Sequence, residues 1–464
     1  MSIPEPRPAS AVEVDRDRLP VPGPTRVFPF PAIEKSILPN GLRVWTVNHT
    51  QVPLVAFTLL VRRGAASDPP GKDGLAAVTA DMLDEGSGER SAIEMHEALA
   101  RLGAQFDTDI GSDATAASIT VLSRFTGEAL GLLSDIVVRP ALREEDFTRV
   151  RQLRLHRLTQ IRDMPGALAD RAFLKLLYGI HPYGHPPIGT EASLASMTVD
   201  DVRSYHARAI RPGDATLVTV GECDHRVIED LARAAFADWT GAPDGTVAAD
   251  NNWPHGARLN IIPRPSAPQS ELRIGHVGVS RDTPDYHALL VGNAILGGQF
   301  VSRINLNLRE DKGVTYGART AFEFRRLPGP FALQVSVQTS ATAQAIEESI
   351  REIVEIRGSR PVTAEELSLG IAGITRGYAR NFETAEQISR AAMQLALYDL
   401  PEDYYAQFVP RIERVTIDDV SRVMTRHLDP ARLTTLIVGD LDAIGADIGR
   451  LGLGEPVVVA DDSF

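Results

Sequence analysis

Apolar and polar positions fall into strand-like and helix-like runs that follow one another in a fixed order. SILPNGLRVWTVNH and VPLVAFTLLVRRG have strand composition, with a turn signal at Asn40-Gly41. GLAAVTADMLDEG, residues 74–86, reads as one amphipathic helix: Leu75, Val78 and Met82 form its apolar side, and Asp73, Asp81, Asp84 and Glu85 put acid on the exposed side. SAIEMHEALARLG predicts a second helix, TAASITVLSRF a further strand, and GEALGLLSDIVV a long helix.

The whole order then recurs. MTVDDVRSYHARAIRPGDATLVTVGECD, residues 197–224, aligns without gaps on VTIDDVSRVMTRHLDPARLTTLIVGDLD, residues 415–442. Each copy has a threonine cap and an acidic pair in the first helical turn, Asp200 and Asp201 or Asp418 and Asp419. A proline turn and a strand ending in Gly221 or Gly439 follow. DGLAAVTADMLDEG, from Asp73, aligns in the same way with DYHALLVGNAILGG, from Asp285. Strands ARLNIIPRP, SELRIGHVGVS and FALQVSVQTS and the helix TAQAIEESIREIVEIRG complete the second copy.

The fold class expected is therefore α+β: two homologous domains, each a largely antiparallel sheet covered on one face by helices. Regular βα alternation suited to a barrel is absent from the pattern. The expected boundaries are a Pro-rich flexible lead over 1–29, a first domain over 30–240 and a linker over 241–257. A second domain over 258–450 and a tail over 451–464 complete the chain.

Composition narrows the function. A chain of 464 residues with 43% hydrophobic and 23% charged residues is globular, and too long for one growing core. A net charge of -13 argues against nonspecific nucleic-acid binding, which needs basic surface. No apolar run approaches a membrane span, and the N-terminus lacks the regions of a secretory signal. The default expectation is a cytoplasmic protein, or a periplasmic one if a leader has been removed. The single cysteine, Cys223, excludes an intrachain disulfide and reads as a semi-buried bystander.

The candidate chemistry is notable for what has been replaced. Positions 77, 80 and 81 share one side of the first helix, the geometry with which a His-x-x-Glu-His motif binds zinc and activates water. Here they are Ala77, Ala80 and Asp81, and two methyl groups can neither ligate a metal nor take a proton. HPYGHP offers His181 and His185, but Pro182, Gly184 and Pro186 make that stretch a turn without nearby carboxylates.

Gly74, Leu75, Ala76, Met82, Leu83 and Gly86 match the flanks of the inverted zinc motif, and on them the chain resembles the pitrilysin and insulinase peptidases. It resembles in particular the two-domain proteins of mitochondrial-processing-peptidase type. That family has a further glutamate ligand on a helix downstream. The comparable segment, DFTRVRQLRLHRLTQIRDMP, has no acid between Asp146 and Asp163. In LGGQFVSRINLNLREDKGVTYGA, residues 296–318, Arg309 and Tyr316 match the family's Arg-and-Tyr substrate pair by spacing and by the REDKG element.

The resemblance implies a noncatalytic, substrate-gripping subunit of a heterodimeric zinc metallopeptidase. This chain would bind no cofactor, and zinc would be expected in a homologous partner whose active site Arg309 and Tyr316 would complete. In isolation a homodimer is possible. Two alternatives stand beside it: a non-proteolytic structural or assembly subunit, and an independent hydrolase with atypical ligands around His181 and His185.

Overall fold

The computed structural model describes residues 29–243 and 258–460, together with Gly23, Trp253 and Gly256. Nearly all of the expected lead and most of the expected linker lie outside the described residues.

In the first half, strands β1 (Glu34–Ile37) and β2 (Arg43–Asn48) form a hairpin, with Gly41 at φ +92° in its turn. Strand β3 (Leu54–Val61) leads to helix α1 (Leu75–Asp81), a short hairpin of β4 (Gly86–Ser87) and β5 (Arg90–Ser91), and α2 (Ala92–Arg101). Strands β6 (Gln105–Ile110) and β7 (Thr115–Leu122) pair, and α3 (Thr126–Val138) follows. Helices α4 (Glu144–Arg162), α5 (Pro165–Tyr178), α6 (Glu191–Ser196) and α7 (Val199–Ala209) precede strand β8 (Ala215–Gly221) and α8 (His225–Ala235).

The second half opens with β9 (Leu259–Pro263), β10 (Gln269–Val277), α9 (Tyr286–Asn293) and a short α10 (Arg303–Asn305). Strands β11 (Ala318–Phe322) and β12 (Pro330–Gln338) follow, then α11 (Thr342–Glu355), α12 (Ala364–Thr375), α13 (Ala385–Leu397), α14 (Tyr404–Glu413) and α15 (Ile417–His427). Strand β13 (Thr434–Gly439), α16 (Leu441–Ile448) and β14 (Val457–Val458) close it. Residues 451–464 were expected as a tail, yet β14 lies there and pairs with β9 at the sheet edge.

The duplication is visible in the sheets. The first has strand order β1-β2-β8-β3-β7-β6 and the second β11-β12-β10-β13-β9-β14. Reading β2-β8-β3-β7-β6 against β9-β13-β10-β12-β11, the first pair is parallel and every other pair antiparallel in both halves. The repeated local sequence gives the same cap twice. Thr198 and Asp201 form a capping box on α7, and Thr416 and Asp419 form one on α15, each satisfying backbone N–H groups that a helix start leaves open.

Each sheet was expected to be covered on one face only, but a second cover arrives from the other half. Helix α13 of the second half lies on β3 and β8, where Ile388, Ala392 and Leu395 belong to the same buried cluster as Ala56, Val218 and Val220. Helix α5 of the first half lies on β10 and β13, burying Leu168, Ala172 and Phe173 with Val277, Leu436 and Val438. A polar contact pins each crossing helix: Ser389 Oγ to Thr58 Oγ1 at 2.8 Å, and Arg273 Nε to Asp170 Oδ1 at 2.6 Å. The burial pattern follows from this cover. Strand β3 is buried at all but its first residue, β7 alternates, and β6 at the sheet edge is buried nowhere.

Because the helices are exchanged, the halves should lose structure together. Leu395→Ala, at a position 1% exposed, is expected to cost about 2–5 kcal/mol. Urea unfolding followed by tryptophan fluorescence and by circular dichroism should give coincident transitions, and separated transitions would contradict the exchange.

His276 on β10 is held neutral. Its Nδ1 lies 2.9 Å from the Val277 carbonyl and its Nε2 accepts from the Asp429 N–H at 3.3 Å, so both nitrogens are committed. Burial lowers its pKa to about 4. The unfolded chain binds a proton between pH 6.5 and 4 that the folded chain refuses, so stability rises with pH across that window. This group alone accounts for a loss of about 3 kcal/mol on acidification. The fall in unfolding free energy between pH 7 and pH 4 should be shallower in His276→Asn.

Candidate functional site

Helix α1 is seated by backbone and carboxylate contacts. Gly74, at φ +93°, precedes it, and a Cβ there would lie 2.8 Å from the Gly189 Cα. The Asp68 carboxylate accepts from the N–H groups of Gly74 and Ala76, both at 2.7 Å, and so caps the helix start. His185 Nε2 lies 3.1 Å from the same carboxylate, with Asp73 3.8 Å from its Nδ1. Burial opposes a charge on His185, but Asp68 and Asp73 outweigh it and hold its pKa above the ordinary histidine value.

The helix differs from the amphipathic reading. It has seven residues, and Leu75 to Ala80 are all buried, including both alanines of the motif positions. The acids do not form a helical face; Asp84 and Glu85 come after the helix ends, in the turn toward β4. Asp81, at the last helical position, accepts from Arg154 Nε of α4 at 2.7 Å. Four residues on, Glu85 pairs with Arg149 of the same helix. These residues do not fit a zinc ion: two positions are buried methyl groups and the third is a carboxylate held by a guanidinium. Helix α4, where a further ligand would lie, brings arginines instead. Among the described residues no group of three or more His, Cys, Asp or Glu is arranged to hold a metal ion.

Asp81, Asp84, Glu85 and Asp107 line a cavity of about 290 Å³ beside the open edge of β6. Burial raises the pKa of Asp84, whose carboxylate lies 3.8 Å from His96 Nε2. On the other side of β6 lies a larger cavity of about 800 Å³, reaching to Glu386, Arg390 and Met393 of the crossing helix α13. Asp107 and Thr108 line both. An edge strand with unused N–H and C=O groups thus runs between two partly acidic hollows.

Arg309 and Tyr316 occupy the equivalent region of the second half. The segment is broken into π-helical turns, Ala294–Gly298 and Leu306–Asp311, on either side of α10. Arg303 is buried there and structural, pairing with both oxygens of Glu366 at 2.6 and 2.8 Å. Asn307 holds the second π-turn by donating to Glu348 and Glu352 of α11 at 2.8 and 2.9 Å. Arg309 pairs with Glu310 at 2.7 Å and stacks on Phe300 at 3.5 Å, while its buried Nη1 has no hydrogen-bond partner among the described residues.

Thr315 Oγ1 donates to Ser336 O at 2.7 Å, and Gly317 N donates to Thr315 Oγ1 at 3.2 Å. With both neighbours tied down, Tyr316 projects outward and is 95% exposed. Phe300 and Gly317 line a cavity of about 490 Å³ against β10, β11 and β12, so the pair flanks it. Of the motif positions only Asp81 reaches a cavity, the one beside β6, whereas the Arg-Tyr pair neighbours residues of a different cavity in the second half.

The remaining candidates do not converge. His181 is packed against Trp253, with Nδ1 accepting from the Tyr183 N–H at 3.0 Å, whereas His185 serves the α1 cap. Cys223 is half-buried, its thiol pushed up to about 11 chiefly by burial, which makes it unreactive. Sequence reasoning missed Asp68 and Arg154. Nothing local marks Asp68 as a cap, but an arginine-rich helix opposite a run of acids was a readable signal for Arg154.

Paired α+β sheets with exchanged helices, and a helix of zinc-motif geometry, define a two-domain protein of metallopeptidase architecture. Residues 43–191 match the model of the insulinase family, peptidase family M16, and residues 196–373 match that of the peptidase M16 inactive domain. The chain belongs to this family.

Similar proteins include an uncharacterized zinc protease of Mycobacterium tuberculosis, 25% identical over 88% of this chain and 93% of that protein. Another, from Streptomyces coelicolor, is 22% identical over 88% and 90%. Among solved structures, a peptidase M16 inactive domain from Pseudomonas fluorescens superposes with a TM-score of 0.82 at 25% identity, covering 88% of this chain and 98% of that one. A protease from Helicobacter pylori shares the fold, with a TM-score of 0.81 at 18% identity over 88% and 99%.

The backbone approach under α1 is testable. Gly74→Ala combines positive φ with a collision against backbone and should lower stability by about 1–3 kcal/mol. Gly131→Ala, inside α3 with open space around it, should instead be neutral or stabilising by up to about 1 kcal/mol. Urea midpoints of the two variants check the contrast.

Proposed function

We propose that this chain is the noncatalytic, substrate-gripping subunit of a heterodimeric zinc metallopeptidase that hydrolyses peptides. In this reading a homologous partner with an intact zinc motif carries the metal, and this chain adds Arg309 and Tyr316 to the partner's active site. The observation that carries it is a contrast between the halves. The motif positions of α1 are buried methyls and an ion-paired carboxylate. Arg309, by contrast, keeps a buried donor without a partner among the described residues, and Tyr316, seven positions on, is nearly fully exposed.

A guanidinium and a phenol are suited to the task. Both can donate to a peptide carbonyl, and both stabilise negative charge as it develops on that oxygen. The open edge of β6 supplies a grip of a different kind, since an extended peptide can add to it through backbone hydrogen bonds. Asp107 and Asp109 on that strand favour peptides with basic side chains.

Co-expression with a zinc-bearing homologue from the same source tests this. The isolated chain should be inactive and the pair active on a quenched fluorescent peptide. Arg309→Ala and Tyr316→Phe should each lower kcat/KM on the order of 10²-fold without dissociating the pair. Cleavage by the isolated chain would sink the proposal. A stable pair whose activity ignores both substitutions would favour a structural or assembly subunit instead.

A further inference from the structure

The misfit between the motif positions and zinc has a structural counterpart in α4. Its Arg154 is 12% exposed at the side chain and reaches Asp81 at 2.7 Å. Arg149, further out at 49% exposed, pairs with Glu85 and also meets Asp146 at 3.4 Å. Both guanidiniums come from one helix, and their main partners from the last position of α1 and the turn after it, so the pairs join α4 to the end of α1. The apolar contact beneath them involves Val78 and Met82 on one side and Phe147, Val150 and Leu158 on the other.

Four carboxylates surround the adjoining cavity: Asp81, Asp84, Glu85 and Asp107. Gathered around one hollow without counter-charge they would repel each other, and Asp84 already shows the cost of burial in its raised pKa. A cation placed against this group relieves that repulsion. The chain supplies it covalently.

We propose that Arg154, supported by Arg149, is a built-in cation that replaces a metal ion at this place, tying the end of α1 to α4 and neutralising the wall of the β6 cavity. Arg154 is thus a positioning residue. A guanidinium can make this tie because it is always charged and its planar donors meet a carboxylate at fixed geometry. Helix α1 is consequently anchored without divalent metal, and Phe106 to Thr108 of the open edge face a wall of fixed charge. The inference rests on the first half alone and is independent of what Arg309 and Tyr316 do.

Thermal unfolding of the full chain tests it. Wild type should show the same Tm with EDTA and with added zinc. Arg154→Gln and Asp81→Arg should each lower Tm by about 1–3 °C, the shift that losing one charge-assisted hydrogen bond produces when a chain of this length unfolds as one unit. The exchanged pair, Asp81→Arg with Arg154→Asp, should recover at least half of that loss, which a purely packing role for Arg154 would not allow. An exchanged pair no better than either single change, or a wild-type Tm that falls in EDTA, would overturn the proposal.

Discussion

The exchange of helices between the halves is the constraint on which the rest of the structure depends. Each sheet presents two apolar faces to be covered, and its own half covers only one. Helix α13 closes β3 and β8 of the first sheet, and α5 closes β10 and β13 of the second. Burying a large apolar side chain is worth about 1.5–3 kcal/mol, so each crossing helix ties its own half energetically to the other. The cover is also incomplete. In each half a single crossing helix lies mainly on the central strands and leaves the outer strands, β6 and β11, without its cover on that face. The cavities of about 800 and 490 Å³ lie there, one in each half. The hollows are a consequence of the duplication.

Duplication has separated two kinds of chemistry. Ala77, Ala80 and Asp81 correspond to Leu289, Gly292 and Asn293 in the second half, and neither set can form a three-ligand metal site. In the first half the position has become an ion-paired joint between α1 and α4. In the second, π-turns and a tethered loop hold an arginine and a tyrosine at the rim of a cavity. The proposed division of labour follows: the first half offers an open strand edge, and the second offers donors to a reacting carbonyl.

Much of the fold was legible in the sequence because it is written twice. The capping boxes at Thr198 and Thr416, the strands ending in Gly221 and Gly439, and the turn at Gly41 depend on local physics that a short stretch of chain carries by itself. The helix exchange was not legible. The apolar stripes of α5 and α13 give no sign of which sheet they cover, since burial against one's own half or the other requires the same residues. Helix α1 misled for a related reason: its acids were placed on a solvated face when the helix in fact stops at Asp81. Arg309 and Tyr316 stood out by resemblance and spacing, whereas the tethers at Asn307, Thr315 and Asn305 that set their exposure involve residues distant in sequence.

The central claim is that this chain supplies donors to a site whose metal another chain holds. Zinc content of the purified complex, measured by mass spectrometry against protein concentration, tests it most directly. One zinc per pair of chains, unchanged when Arg309 and Tyr316 are replaced and absent from this chain alone, is the expected result. Two zincs per pair, or stoichiometric zinc in this chain by itself, would contradict it.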